Sequence, residues 1–338
     1  MGAFAELSSL NKNFATLPVI DSHVHFVHPE RMDDMLALMD RVPCERFNLV
    51  CIPNPDGSTH NPIAVHFKQN YPQRTFISGA LEYASTLADP EHAAELLAAQ
   101  VGALITNGFD GMKLIEGKPQ VRKLLPYPLD GSLYARVWDV LEREGFPVVF
   151  HVADPDEFWD AQNCPDWARE AGWDYSDGTY PGKEELYAEV DNILKRHPRL
   201  RITFAHFYFL SRELERAGKF LEAHPSVCFD LAPHMDMYRD FSNDPAAARR
   251  FFIRYQERIL YGTDSDTRAL VGGPQGVRLM HTLPLLIRSM LEREGEFSLP
   301  DGSIYHGLGL PPDILARIYA TNFERIYGRR PVFLKDSK

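Results

Sequence analysis

Apolar, β-branched runs alternate with amphipathic stretches along almost the whole chain, and this alternation is what most limits its fold. We predict strands at 17–26, 46–53, 73–82, 109–115, 146–152, 200–207, 227–233 and 258–264. Near-continuous apolar strands that alternate with helices are typical of a parallel sheet covered by helices on its outer face. Eight strand-then-helix units predict a (β/α)8 barrel, the TIM barrel.

The amphipathic stretches predict the helices that cover this barrel. They lie at about 30–41, 61–71, 90–107, 132–145, 183–197, 210–224, 244–257, 275–294 and 311–327. A doubly wound open sheet is the rival architecture, but no G-x-G-x-x-G motif follows the first strand. The chain shows no internal repeat or linker, so we expect one domain over 1–338. The long, aromatic-rich connection 153–182 after the fifth strand predicts a distorted barrel with a functional loop.

Composition argues against several classes of partner. The formal net charge is −11 and no block of Lys or Arg stands out, which disfavours a nucleic-acid groove or an anionic membrane surface. The apolar runs are far shorter than the ~20 residues that a membrane helix needs. The N-terminal residues lack the pattern of a secretion signal, and the four cysteines show no CxxC spacing. We therefore expect a cytoplasmic protein that acts on a small molecule, and a homodimer stays open.

The first strand ends on Asp-Ser-His-Val-His, residues 21–25. Residues two apart in a strand point to the same face, so His23 and His25 should project side by side. Such an imidazole pair suits a divalent metal such as zinc. In a TIM barrel the reactive groups come from the C-terminal ends of several strands. Four further candidates lie late in the fourth, fifth, sixth and eighth strands: Lys113, His151, His206 and Asp264.

Taken together, these strand ends resemble the amidohydrolase superfamily. The resemblance is greatest to its family-2 branch, which includes metal-dependent hydrolases and aminocarboxymuconate-semialdehyde-type decarboxylases. It covers about 17–328, and the matching stretches are 21–25, 111–114, 150–152, 203–206, 224–230, 261–264 and 320–328. The paired histidines and the aspartate of the eighth strand are its most specific part.

The resemblance implies a ligand set and residue roles. A single catalytic metal, zinc by preference, would be held by His23, His25, His151 and Asp264. His206 would act as general base or as hydrogen-bond partner of a metal-activated water, and Asp264 would also shuttle its proton. Lys113 leaves a second arrangement open, because a carboxylated lysine on the fourth strand bridges two metals in some superfamily members. Its alternative role is an ammonium paired with a carboxylate in the barrel mouth.

The chemistry that follows is hydrolysis of a small organic amide, ester or lactone. The alternative is non-oxidative, metal-dependent decarboxylation of an aromatic or unsaturated carboxylic acid. A third interpretation, a barrel that binds a ligand without turnover, is disfavoured by the polar residues at so many strand ends.

Substrate contacts are expected from three connections. The loop after the fifth strand holds Trp159 and Trp173 among other aromatic residues. It would either cover a flat or apolar substrate, or pack its rings on the barrel rim or a second subunit. The connections after the seventh and eighth strands offer groups that could hold a substrate carboxylate: His234, Arg239 and Arg268.

Overall fold

Nine strands form a single parallel sheet in the computed structural model, which describes residues 14–41, 44–271 and 273–332. They are β1 (Val19–His25), β2 (Cys44–Val50), β3 (Thr75–Gly79), β4 (Gly111–Gly117), β5 (Val148–Val152), β6 (Ile202–Phe204), β7 (Cys228–Asp230), β8 (Ile259–Leu260) and β9 (Ser265–Asp266). Their order is β8-β7-β6-β5-β4-β3-β2-β1-β9, so consecutive strands are neighbours. This is the strand order that eight repeated strand-then-helix units predict.

The sheet closes on itself because β8 and β9 are successive parts of one chain segment. β8 pairs with β7, whereas β9 pairs with β1. Between them, the Ser22 N–H donates to the Tyr261 carbonyl and the Asp264 N–H donates to the His23 carbonyl, each at 2.9 Å. The predicted TIM barrel is confirmed, and its C-terminal rim brings the ends of distant strands together.

Fifteen α-helices accompany the strands within the described residues, and most of them cover the outside of the barrel. They are α1 (Met32–Arg41), α2 (Asn61–Asn70), α3 (Ala84–Leu87), α4 (Ala93–Thr106), α5 (Pro119–Leu124), α6 (Ser132–Glu144), α7 (Asp166–Glu170), α8 (Lys183–Arg196), α9 (Leu214–Ala223), α10 (Met237–Asn243), α11 (Pro245–Arg254), α12 (Thr267–Val271), α13 (Pro274–Glu292), α14 (Pro312–Ala316) and α15 (Asn322–Tyr327). No helix of the described ranges is long and apolar enough to cross a membrane. The assignment of 1–338 to one domain stays a prediction.

The last helix plugs the N-terminal end of the barrel. Phe323 and Tyr327 of α15 pack against inward-facing residues of the strands, such as Ile20, Phe76 and Val149. The opposite end, where the strands finish, is therefore the open one.

A bulge in β1 decides which residues face inward. Ile20 belongs to the apolar plug, and His23 also points into the barrel although it lies three residues later. Regular alternation would put these two side chains on opposite faces. The pairing of β1 with β2 shifts register between Asp21 and Val24. This irregularity turns the His23 side chain to the same inward face as Ile20. His23 and His25 then share the inward face as predicted.

Two of the differences from the sequence prediction lie after α13. The helix expected at 311–327 is split by a π-helical turn, Arg317–Thr321, into α14 and α15. An antiparallel hairpin, β10 (Glu294–Ser298) and β11 (Ile304–Leu308), follows α13. The exposed face of β10 carries Glu294 and Glu296, so its sequence lacks the apolar character of the barrel strands. That polarity explains why the hairpin was not predicted.

Candidate active site and metal centre

All the residues predicted for catalysis or metal binding line one cavity of about 610 Å³ at the C-terminal end of the barrel. They are His23, His25, Lys113, His151, His206 and Asp264. Each comes from a different strand or strand end except the β1 pair, so closure of the barrel is what brings them together. Burial of so many polar groups in one place is costly unless they are paired with one another or with a cation.

Three of these side chains form a compact donor cluster. The ligand atoms of His23, His25 and Asp264 all lie within 4.8 Å of one another. The Asp264 Oδ1 atom is 3.3 Å from His25 Nε2 and 3.5 Å from His23 Nε2. Burial alone would raise the pKa of the Asp264 carboxyl, but the hydrogen bond with His25 and the nearby His23 hold it below its usual range. The carboxylate is therefore ionised in the site.

The spacing of this cluster fits a bound divalent cation. Ligands of a tetrahedral zinc ion, at roughly 2.0–2.1 Å from the metal, lie about 3.3 Å from one another. The two distances to Asp264 Oδ1 match that separation. Two imidazoles and one carboxylate also suit a borderline-soft ion such as zinc. These residues therefore fit the metal that the sequence predicts.

The orientation of His23 is fixed by a carboxylate that sequence reasoning missed. Its Nδ1 atom donates to Asp230 Oδ2 at 2.8 Å, which leaves Nε2 unprotonated and facing the site. The other oxygen of Asp230 accepts the backbone N–H groups of His206, at 2.8 Å, and of Ala232, at 3.1 Å. A carboxylate behind the imidazole is the usual support of a metal-binding histidine. Asp230 ends the stretch 224–230 already noted in the sequence, which was a usable signal.

His151 and His206 form a second pair of facing nitrogens. His151 Nε2 donates to the Ala153 carbonyl at 3.0 Å, and His206 Nδ1 donates to the Ala232 carbonyl at 3.1 Å. Their other nitrogens, His151 Nδ1 and His206 Nε2, are 3.2 Å apart. Burial lowers the pKa of His151 to about 4 and that of His206 well below its usual value, so both rings are neutral. Two lone pairs then face each other, an arrangement that a shared cation stabilises.

Lys113 lies beside the first cluster. Its Nζ atom is 3.2 Å from His23 Nε2, and the side chain is buried. Burial lowers the pKa of Lys113 to about 8, while Asp230 and Asp264 act in the opposite direction. A lysine with a lowered pKa carries a larger neutral fraction and is correspondingly more nucleophilic.

A strained turn carries His206 into the site. The four residues from His206 to Phe209 have φ between 51° and 58°, in the left-handed region. Each non-glycine residue there costs roughly 1–2 kcal/mol. The rings of Phe207 and Tyr208 are fully buried against neighbouring aromatic residues, which offsets the cost. No pattern in the sequence predicts such a turn.

The cavity walls are mostly apolar above this polar base. Their apolar members are Ile52, Pro53, Pro55, Ile115, Val121, Pro233, Ala269, Leu279, Met280 and Leu283. Two predicted substrate contacts, Trp173 and Arg268, also line the cavity. The Arg268 guanidinium pairs with Asp266, with Nε at 2.6 Å from Oδ2, yet the side chain remains 54% exposed. The cavity is thus suited to an organic molecule with one polar reacting end.

Comparison with known proteins identifies the family to which the chain belongs. The family model Amidohydro_2, described as amidohydrolase, matches residues 79–329. The chain belongs to this amidohydrolase family. The matched range includes Lys113, His151, His206 and Asp264, whereas His23 and His25 precede it. No curated protein matches.

Several solved structures share the amidohydrolase barrel at low sequence identity. An uncharacterised TIM-barrel protein from Bordetella bronchiseptica has a TM-score of 0.60 and 14% identity, covering 92% of this chain and 98% of its own. A 2,6-dihydroxybenzoate decarboxylase complexed with 2,6-dihydroxybenzoate has a TM-score of 0.53 and 15% identity, covering 92% and 99%. An amidohydrolase from Burkholderia multivorans with bound zinc has a TM-score of 0.54 and 15% identity, again covering 92% and 99%. At these identities the likeness shows the fold.

Three of the residues predicted to contact the substrate do not line the cavity of the present protein. The Trp159 indole donates to the Pro181 carbonyl at 3.0 Å, within the loop after β5. His234 packs on Phe209, and Arg239 lies over the ring of Tyr305 in the hairpin. Their roles in substrate binding stay predictions that this geometry does not support.

The aromatic loop after β5 packs mainly on itself. We call its small apolar cluster the loop core: Phe158, Cys164, Ala168 and Tyr175, with Trp159, Trp173 and Tyr180 packed around them. Of these rings only Trp173 lines the cavity. The structure therefore favours a loop that packs on itself over a lid of aromatic residues stacked on the substrate.

Proposed function

We propose that this protein is a metal-dependent hydrolase of a small organic amide, ester or lactone. The observation that carries the proposal is the cluster of His23, His25 and Asp264 at the base of a largely apolar cavity. We propose zinc as the metal, with His151 as a further ligand, and the zinc bound by the Burkholderia amidohydrolase supports this choice. Such an ion, when bound, polarises a carbonyl group and lowers the pKa of water.

The residues around the cluster supply the proton transfers. Asp264, ionised and at the centre of the cluster, is placed to accept a proton from the attacking water and to return it to the leaving group. His206 is held by Ala232, and its Nε2 atom, which lines the cavity beside His151, is placed to accept a hydrogen bond from the nucleophile. The Lys113 ammonium can donate a hydrogen bond to the oxygen on which negative charge develops. Apolar walls exclude competing water from these groups.

A two-ion version of this site stays open. The facing nitrogens of His151 and His206 suit a second cation, and Lys113 Nζ would have to become a carbamate to bridge the ions. Metal analysis of the purified protein distinguishes the two versions, because the single-ion site predicts about one equivalent and the bridged site about two. A carbamate carbon signal after growth with labelled bicarbonate would identify the bridged form.

Decarboxylation of an aromatic or unsaturated acid is the second candidate. Arg268 and Lys113 both line the cavity, and a cation beside an apolar wall suits a flat carboxylate. Trp173 offers a ring face in the same wall. The 2,6-dihydroxybenzoate decarboxylase of the same fold supports this alternative.

One assay separates these functions. The metal-loaded protein is incubated with a panel of amides, esters, lactones and aromatic acids, and acid release and CO2 release are measured in parallel. We expect acid release without CO2, lost in the Asp264→Asn variant. CO2 release from an aromatic acid without hydrolysis would replace our proposal with the decarboxylase. Less than about a tenth of an equivalent of metal, with no turnover, would favour a barrel that only binds a ligand.

A further inference from the structure

A buried carboxylate stands directly behind His151. Asp154 is 3% exposed, and its Oδ1 atom lies 3.3 Å from His151 Nε2. Both of its oxygens accept from Lys118 Nζ at 2.7 Å, which ties the end of β4 to the end of β5. Lys118 and His151 therefore hold the two oxygens of Asp154 in one position next to the imidazole.

The same carboxylate is bonded to the aromatic loop. The Tyr175 hydroxyl donates to Asp154 Oδ2 at 2.7 Å. Tyr175 is the most deeply enclosed ring of the loop core, 1% exposed, and it contacts Trp159 and Tyr180 at centroid distances of 5.0 Å and 4.6 Å. The position of this hydroxyl is thus set by how the loop core packs.

Lys118 links the carboxylate to the cavity wall as well. Its Nζ atom lies 4.3 Å from the centroid of the Trp173 ring, a favourable cation–π contact. The Trp173 indole donates to Gln120 Oε1 at 3.1 Å, which anchors the loop on α5. The loop is therefore attached at two points that converge on Asp154.

We propose that Asp154 is a positioning residue for His151 and that Tyr175 ties it to the loop core, so that the packing of the loop sets the orientation of this imidazole. The proposal rests on the proposed function only in taking His151 as part of the working site. It gives the loop after β5 a role other than covering the substrate. Outer carboxylates of this kind typically change activity or metal affinity by 10–100-fold when removed.

The chain offers a matched pair of variants to test this. Tyr175→Phe removes only the hydroxyl that reaches Asp154, and the ring that packs in the loop core remains. Tyr180→Phe removes a hydroxyl from the neighbouring ring, for which the described residues provide no hydrogen-bond partner. Neither side chain lines the cavity, so a change in KM is not expected from lost substrate contact.

Two readouts are measured on the protein with its metal. The first is kcat and KM in the hydrolysis assay, and the second is the pair of ring nitrogen resonances of His151, assigned by their absence in His151→Gln. For Tyr175→Phe we expect about a 10-fold loss of kcat, little change in KM, and shifted His151 resonances. Tyr180→Phe should match wild type in both, and Asp154→Asn should exceed Tyr175→Phe in both.

Unchanged His151 resonances in Tyr175→Phe would overturn the proposal, whatever the activity. Shifted resonances with a wild-type kcat would also overturn it, because the orientation would then have no consequence for turnover. If no hydrolysis is found for the wild type, the resonances alone decide, so failure of the proposed function remains distinguishable from failure of this inference.

Discussion

Two buried Lys–Asp pairs lie at opposite ends of the barrel, and their surroundings differ. At the N-terminal end, Lys68 of α2 donates to Asp110, just before β4, at 2.6 Å. The remaining partners of Asp110 are backbone N–H groups of Ile77, at 2.8 Å, and of Val332, at 2.6 Å. At the C-terminal end, the partners of Asp154 beside Lys118 are the side chains of Tyr175 and His151.

One kind of buried ion pair thus occurs in two different surroundings. Asp110 joins a helix, two strands and the end of the described chain, and all its contacts are structural. Asp154 also pairs with a buried lysine, but its other contacts lead to an imidazole of the candidate site and to the loop core. In TIM barrels the N-terminal end mainly supports stability and the C-terminal end carries the chemistry. Mutations at the two ends should therefore change different quantities.

The largest expected effect is at the centre of the C-terminal end. Asp264→Asn keeps the side-chain shape but removes the charge shared by His23 and His25, so we expect kcat/KM to fall by at least about 10³-fold. Circular dichroism and the melting curve should stay close to wild type. Asp266→Asn, two residues later in the same cavity, is the control and should cost far less. Near-native activity of Asp264→Asn would refute the site assignment.

Removal of the metal should also reduce turnover at the C-terminal end of the barrel. After treatment with a chelator and dialysis, we expect turnover to fall by at least about 10²-fold and to return when zinc is added back. The reason is that, in the proposed site, His23, His25 and Asp264 contribute their donors to one ion. The hydrolysis assay measures both steps, with mock-dialysed protein as the control. Full activity in metal-free protein would show that turnover does not require the metal.

Substitution of the aspartate in each buried Lys–Asp pair should separate stability from activity. Loss of one partner of a buried pair costs roughly 3–5 kcal/mol, so Asp110→Asn should lower the free energy of unfolding by about that amount. Its kcat per folded molecule should remain that of wild type. Asp154→Asn should lower kcat by about 10–100-fold in the folded protein. Urea unfolding and kinetics on both variants check this, and equal kcat losses would erase the distinction between the two ends.

The smallest expected effect is on the cavity wall. Leu279 lines the cavity but is 50% exposed, so a substrate would bury it. Leu279→Ala should raise KM by about 3–10-fold through lost apolar contact, with little change in stability. Leu124→Ala, on an exposed leucine outside this cavity, is the control. An unchanged KM in both variants would place the substrate against another wall.

Much of this architecture could be predicted because it depends on local patterns. The eight apolar runs fixed the order of the barrel strands, and the two-residue spacing of His23 and His25 placed both on one face. Strand ends also brought Lys113, His151, His206 and Asp264 to one cavity. Parallel strands must finish at the same rim, so the convergence of these residues can be predicted without knowledge of how the side chains pack.

The remainder depends on contacts between residues far apart in the chain. The left-handed turn from His206 to Phe209 is stabilised by buried rings and by Asp230, which no local pattern reveals. Asp154 and Lys118 are separated by two helices and a strand, and their pairing appears only in the fold. Arg239 illustrates the opposite error: it follows a barrel strand, yet it lies over Tyr305 of a hairpin that was not foreseen.

Anomalous diffraction can locate the cation that we propose His23, His25 and Asp264 to hold. Crystals of the zinc-loaded protein would be measured on both sides of the zinc absorption edge. We predict an anomalous peak between the two Nε2 atoms and the Asp264 carboxylate, at roughly 2.0–2.2 Å from each. A fully loaded crystal with no peak at that position, or with peaks only elsewhere, would show that this cluster does not hold the metal.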